Sequence, residues 1–269
     1  MKTLRVVGIS LLYLAIYAGV LMLTSFALYN WVDHKPFQDW LAVNSGATMI
    51  FANIIVLAIY FPLLKWQRIG WKELGFVRPH SLTITAGSGI WLGLFIASFT
   101  QLPWIKEGFP AIANLVGFVT GGGGILVFLA GSLLLGSLLE EWLFRGMMLH
   151  VLRQRFSVMW SVVIQAVLFG AVFMNVAVGA FAALGAVIYG VIRLSSGSIW
   201  SSLMAHVLST GTLYIVGKFS SEWSADMYLI LAVISGLALL AHLYGMMRGG
   251  YEHASGLPKQ RSAGKAGHI

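Results

Sequence analysis

Eight long apolar runs constrain the fold of this chain more than any other feature. A transmembrane helix needs roughly 20 mostly apolar residues to cross the hydrocarbon core of a bilayer. The 269-residue chain is 58% hydrophobic and 10% charged, whereas an ordinary soluble domain has about a quarter charged residues. The sequence therefore predicts an all-α, polytopic transmembrane helical bundle of about eight spans, at residues 6–29, 46–64, 82–102, 124–149, 158–174, 178–193, 199–216 and 227–247.

The distribution of positive charge predicts the orientation of these spans. With the N-terminus in the cytoplasm, only Lys35, Lys106 and Lys218 of the 17 Lys and Arg residues fall in external loops. Cytoplasmic loops characteristically carry the excess of Lys and Arg, so we predict an integral membrane protein with both termini cytoplasmic. We expect a transmembrane domain over residues 1–248 and a disordered basic cytoplasmic tail over 249–269. The positive charge is scattered over short loops, so the bilayer rather than nucleic acid is the expected partner.

Two adjacent carboxylates lie inside the fourth predicted span. Glu140 and Glu141 precede Arg145 in an otherwise apolar stretch. A charge in a membrane helix is costly and usually faces the bundle interior or a water-filled cavity; the alternative is that both glutamates snorkel to the headgroups. Residues four apart share a helix face, which predicts an ion pair between Glu141 and Arg145. Glu140 points about 100° away, is freer, and is a candidate general base.

His206 is the only histidine deep within a predicted span. Thr210 follows one turn later on the same face and could hold the imidazole or a substrate. A lone histidine in a bundle can instead simply hydrogen-bond a neighbouring helix. Gln165 and Asn175 add polarity to the fifth span, where amides more often join helices than take part in catalysis.

The acidic pair opens a motif that resembles a known family. The motif consists of Glu140, Glu141, Arg145 and Gly146, followed by the basic segment 153–156. It is similar to the first motif of the CPBP family, the CAAX-processing and bacteriocin-processing intramembrane proteases, also called the Abi family. The resemblance covers about residues 124–212, and the first three spans fit only in number and character.

The family's second and third motifs are present in altered form. The second is Phe-x-x-x-His; here Phe169 matches and Phe173 replaces the histidine. The third is His-x-x-x-Asn or similar; here His206 matches and Thr210 replaces the asparagine. Both replacements affect residues that hold water or the oxyanion in the family.

The resemblance implies a helical bundle that cleaves a peptide bond near the cytoplasmic membrane face in a membrane-associated protein or peptide. Carried over by position, Glu140 activates water and His206 donates to the oxyanion. Glu141 and Arg145 orient the site, and Phe169 shapes the cavity wall. Without a histidine at position 173 the water loses one holder, and losing an acid–base partner typically costs about 10²–10⁴-fold in rate.

Three functions remain open from the sequence. The first is a glutamate-type intramembrane endopeptidase, and the second is a catalytically impaired relative that binds a peptide as an immunity or scaffold protein. The third is a transporter with Glu140 and His206 as a proton relay, although no internal repeat supports it. We expect no cofactor and no metal. The chain has no cysteine, and zinc sites usually need three protein ligands. Glu140, Glu141 and His206 could supply three ligands only if Glu141 left its partner Arg145.

Overall fold

The protein is a bundle of helices in a computed structural model, which describes residues 2–79, 81–220 and 223–255. No strand occurs in these three ranges. In chain order the helices are α1 (Lys2–Asn30), α2 (Lys35–Val43), α3 (Ala47–Gln67), α4 (Trp71–Leu74), α5 (Leu82–Phe99), α6 (Pro103–Gly108), α7 (Pro110–Ala113), α8 (Leu115–Thr120), α9 (Ile125–Leu152), α10 (Val158–Ala171), α11 (Val176–Ser196), α12 (Ile199–Phe219) and α13 (Ala225–Ser255).

Seven of these helices are long and apolar enough to cross a membrane, and α10 is a shorter apolar one. They coincide with the eight predicted runs, which confirms the all-α, polytopic fold of about eight spans. The sequence did not predict α2 or the short helices α6 to α8 in the connections. Proline occupies the first turn of α2, α6 and α7, a position where its missing N–H leaves no helical bond unmade.

The last helix runs past the predicted end of the transmembrane domain. Because α13 continues to Ser255, residues 249–255 of the predicted tail are helical. The rest of that predicted tail lies outside the described residues.

The central helix of the bundle is α9. Most of its second half is enclosed by other helices: Leu139, Leu143, Phe144, Met147 and Leu152 are each fully buried. Two stretches of α9, Leu129–Gly136 and Glu141–Met148, have π-helical i→i+5 hydrogen bonding. Such wider turns are frequent at functional sites, and here they lie on either side of Glu140.

Close backbone contact sets the position of α12 against α5. A Cβ atom added at Gly89 would lie 2.5 Å from the carbonyl oxygen of Ala205, and one added at Gly93 would lie 2.5 Å from that of Ser209. Only glycine permits this approach, as at other membrane helix interfaces built on small residues. The two contacts lie on either side of His206 in the sequence and so fix its helix.

The segment between α3 and α5 is tied to the start of α12. Gly75 has a φ of +92°, and its carbonyl accepts a hydrogen bond from the Ile199 N–H at 2.8 Å. Arg193 of α11 donates to the Leu74 carbonyl at 3.2 Å. These contacts anchor the segment to the ends of two spans, α11 and α12.

Candidate active site

The two carboxylates of α9 lie on either side of one imidazole. His206 Nδ1 is 3.0 Å from Glu141 Oε1, and His206 Nε2 is 3.8 Å from Glu140 Oε2. On an ideal helix two neighbouring residues point about 100° apart. In the structure both face α12, so a single histidine interacts with the pair.

Glu141 and Arg145 form the ion pair expected from their spacing. Glu141 Oε1 lies 3.1 Å from Arg145 Nη1, and both side chains are almost completely buried. The guanidinium also donates to the Ala186 carbonyl of α11 at 3.2 Å. The Cζ atom of Arg145 lies 5.2 Å from the ring centre of Phe169 and 5.1 Å from that of Tyr189. Cation–π attraction operates at these distances. Four residues on three helices, α9, α10 and α11, thus hold Arg145 in place.

The imidazole of His206 is fixed on two sides. Its ring stacks on Tyr189 with 4.6 Å between ring centres and 19° between planes, and the Tyr189 hydroxyl is hydrogen-bonded to Ser209. A carboxylate oxygen can only accept, so Nδ1 carries the proton shared with Glu141. Nε2 therefore faces Glu140.

Glu140 is the more accessible of the two carboxylates. Its side chain is 19% exposed against 1% for Glu141. Its Oε1 accepts a hydrogen bond of 3.4 Å from the hydroxyl of Tyr17, a residue of α1 that the sequence argument missed. A buried tyrosine hydroxyl usually finds a polar partner, but the partner lies 123 positions away, and no local sequence pattern reveals it.

A cavity of about 150 Å³ lies against Glu140 and His206. Five of the seven predicted site residues line it: Glu140, Phe169, Phe173, His206 and Thr210. Glu141 and Arg145 lie behind its wall. Phe173 makes an edge contact with Phe169, with 5.7 Å between ring centres, so an aromatic pair occupies the wall where the family pattern has a histidine.

Of the polar groups near the site, Thr210 lies at the cavity, whereas Gln165 and Asn175 have other roles. The Gln165 amide donates to the Ala186 and Val162 carbonyls and joins α10 to α11. The Asn175 side chain accepts from the Val178 N–H at 3.0 Å and caps α11.

The cavity extends towards one end of the bundle. Beyond Glu140 its walls include Met49 near the start of α3, Val116 and Val119 of α8, and Phe173 between α10 and α11. These elements are on the side of the bundle that carries Lys35, Lys106 and Lys218. The opposite side carries the loop after α9 with the basic segment 153–156. The charge bias predicts that the side with the three lysines is external, whereas the family resemblance predicts cleavage near the cytoplasmic face.

No group of three or more His, Asp and Glu side chains within residues 2–79, 81–220 and 223–255 is arranged to hold a metal ion. The expectation that the site works without a metal stays a prediction.

Comparison with known proteins supports the same assignment of the central helices. Residues 122–212 match the family model of the Rce1-like type II CAAX prenyl endopeptidases. This segment comprises α9 to α11 and the part of α12 that carries His206 and Thr210. Neither a curated protein nor a solved structure gave a significant match. The resemblance predicted from the motifs is therefore confirmed over residues 122–212, which match the Rce1-like branch of the CAAX-protease family.

Proposed function

We propose that this protein is an intramembrane endopeptidase in which Glu140 activates the attacking water. The observation that carries the proposal is the placement of Glu140 and His206 together at the wall of a cavity inside the bundle. A carboxylate beside an imidazole in a largely apolar cavity can take a proton from water during attack on a peptide carbonyl. The substrate is a membrane-associated protein or peptide.

Glu140 can both accept the proton that the reaction removes from water and return it to the leaving amine. Glu140 removes a proton from water as the hydroxide oxygen bonds to the carbonyl carbon of the substrate. The resulting oxyanion accepts hydrogen bonds from His206 and Thr210, and the proton on Glu140 passes to the leaving amine when the C–N bond breaks. Donated hydrogen bonds aimed at the developing charge are usually the largest contribution to such catalysis.

Glu141 and Arg145 act as positioning residues for His206. With Nδ1–H donated to Glu141, the imidazole can donate from Nε2 only in its protonated form. Two glutamates, one arginine and a protonated histidine sum to zero charge, which makes this form compatible with burial. The arrangement resembles the pairing of carboxylate and imidazole that orients histidine in hydrolases.

The test is cleavage by the purified protein in detergent of a farnesylated CAAX peptide and of its non-prenylated counterpart, each with and without chelator. Wild-type cleavage that Glu140→Gln abolishes supports the proposal. The matched control is Lys35→Gln, which changes an exposed residue at the start of α2. Cleavage that persists in Glu140→Gln would rule out Glu140 as the base.

The alternative function is peptide binding by a catalytically impaired relative, acting as an immunity or scaffold protein. The observation in its favour is Phe173, which lines the cavity and has no group able to hold water. This alternative predicts that the same peptides bind with similar affinity to wild type and Glu140→Gln but are not cut by either. Measuring binding and cleavage together separates the two functions.

A further inference from the structure

A second, larger cavity adjoins the candidate active site. It has a volume of about 1030 Å³ and lies between α5, the short helices α6 to α8, and the last turns of α12. Val116 of α8 lines both this cavity and the one at Glu140. The large cavity, which we call the vestibule, therefore lies next to the site, with Val116 in the wall of both.

The vestibule combines positive charge with aromatic and amide groups. Lys106 and Lys218 line it, together with Gln101, Asn114 and Tyr214. Among its described lining residues there is no Asp or Glu. The Lys218 ammonium lies 5.9 Å from the ring centre of Tyr214, which in turn stacks on Phe128 of α9 at 4.2 Å. This stacking gives the lysine a fixed neighbour.

We propose that the vestibule binds a carboxylate of the peptide substrate, either an acidic side chain or the C-terminal carboxylate, and so determines where the chain is cut. This inference rests on the proposed function. Lysine ammonium groups with no lining counter-charge attract anions, and the amides and Tyr214 offer donors for the remaining carboxylate oxygens.

Helix geometry gives the spacing between that carboxylate and the cut. Lys218 follows His206 by 12 positions on the continuous helix α12, which corresponds to about 18 Å at 1.5 Å per residue. An extended peptide covers about 3.3–3.6 Å per residue. A carboxylate held at Lys218 therefore lies about five residues from a peptide bond at Glu140.

The first experiment maps the cut by mass spectrometry in a series of apolar peptides whose single Asp is moved in steps of two residues. In wild type the cut should move with the Asp and stay about five residues from it. In the double variant Lys106→Gln/Lys218→Gln it should no longer follow the Asp, whereas in Lys35→Gln it should follow it as in wild type. A cut site in wild type that ignores the Asp overturns the inference but leaves the proposed function intact.

The second experiment measures binding without cleavage, using the Glu140→Gln protein and the same peptides carrying a neutral fluorophore. The Asp peptide should bind more tightly than its Asn counterpart, and each lysine substitution should weaken it by roughly two- to fivefold, because partly exposed ion pairs are weak. Equal binding of Asp and Asn peptides overturns the inference. Asp-selective binding by a protein whose wild type cuts nothing supports the vestibule and contradicts the protease.

Phospholipid phosphate is the competing occupant. If lipid fills the vestibule, mixed micelles containing phosphatidylglycerol should displace the Asp peptide while those containing phosphatidylcholine should not. Displacement of that kind, together with equal affinity for Asp and Asn peptides, would assign the vestibule to lipid and overturn the inference.

Discussion

His206 Nδ1 and Glu141 Oε1 lie 3.0 Å apart although the two residues are 65 positions apart in the chain. The contact links the central helix α9 to α12 and leaves the opposite ring nitrogen facing Glu140. It also joins His206 to the buried pair of Glu141 and Arg145. The two neighbouring glutamates therefore have different surroundings, and substitutions at each should have different effects.

Glu140→Gln should abolish cleavage while leaving the amount and thermal stability of the protein close to wild type. The amide is nearly isosteric with the carboxyl group, removes one partly accessible charge and cannot accept a proton from water. Cleavage and thermal unfolding in detergent, measured on the same preparation, test both parts. A variant that loses activity only because it unfolds would contradict this expectation.

Glu141→Gln should instead destabilise the protein. It leaves Arg145 without its carboxylate at a site that is almost completely buried, and breaking a buried ion pair typically costs about 3–5 kcal/mol. It also weakens the hydrogen bond that orients His206. We expect a lower unfolding temperature and a lower yield, with Glu140→Gln as the matched control on the adjacent residue. Wild-type stability in Glu141→Gln would show that the pair contributes little.

The sequence was sufficient for the fold class, because apolar runs of membrane-spanning length have few alternatives in a bilayer. Through the motif resemblance it also singled out five residues that the structure places around one cavity: Glu140, Phe169, Phe173, His206 and Thr210. It could not place Tyr17, since contacts between distant helices depend on how the helices pack. Nor did it predict that one imidazole contacts both glutamates, because the position of His206 between them depends on how α12 packs against α9.

Tyr17→Phe tests the contact that the sequence missed. The hydroxyl lies 3.4 Å from Glu140 Oε1, and hydrogen bonds to charged groups contribute about 1.5–3 kcal/mol. At that length the contact should be at the weak end, so we expect roughly tenfold slower cleavage with little change in unfolding temperature. Tyr13→Phe is the matched control on the same helix, because its hydroxyl contacts Gln67 rather than the site. Equal effects of the two substitutions would mean that Tyr17 acts only through packing.

Gly89→Val tests whether close packing of α5 against α12 positions His206. The added side chain would meet the backbone of Ala205, and overpacking typically costs about 1–3 kcal/mol. We expect a lower unfolding temperature, and slower cleavage even at temperatures where the variant is folded. Gly19→Val is the control, because a Cβ atom there has no neighbour within 4 Å. A variant as stable and as active as Gly19→Val would contradict the packing argument.

The orientation of the bundle can be tested by labelling single cysteines, since the chain has none of its own. Asn114 lines the vestibule, and Gln154 lies in the arginine-rich loop after α9; both are exposed. If the termini are cytoplasmic, a membrane-impermeant maleimide should label Asn114→Cys in intact cells and Gln154→Cys only after permeabilisation. The reverse pattern would show that the cavity opens to the cytoplasm and that the charge bias gave the wrong orientation.

Phe173→His distinguishes a working protease from an impaired one. Phe173 lines the cavity with Glu140 and His206, so a histidine there could hold the attacking water beside the base. If wild type is impaired, Phe173→His combined with Thr210→Asn should restore cleavage, but only in part, since small misplacements of catalytic groups cost about 10²-fold. If wild type is already active, the site holds the water without a histidine at position 173, and Phe173→His should change the rate little or lower it. The measurement is cleavage by wild type, the single variant and the double variant, with Phe181→His as the control because Phe181 lines the same cavity but lies outside the motif.

Robust wild-type cleavage that depends on both Glu140 and His206 would exclude the impaired relative. If wild type binds the peptide without cutting it and the double variant cuts it, the impaired relative would be established.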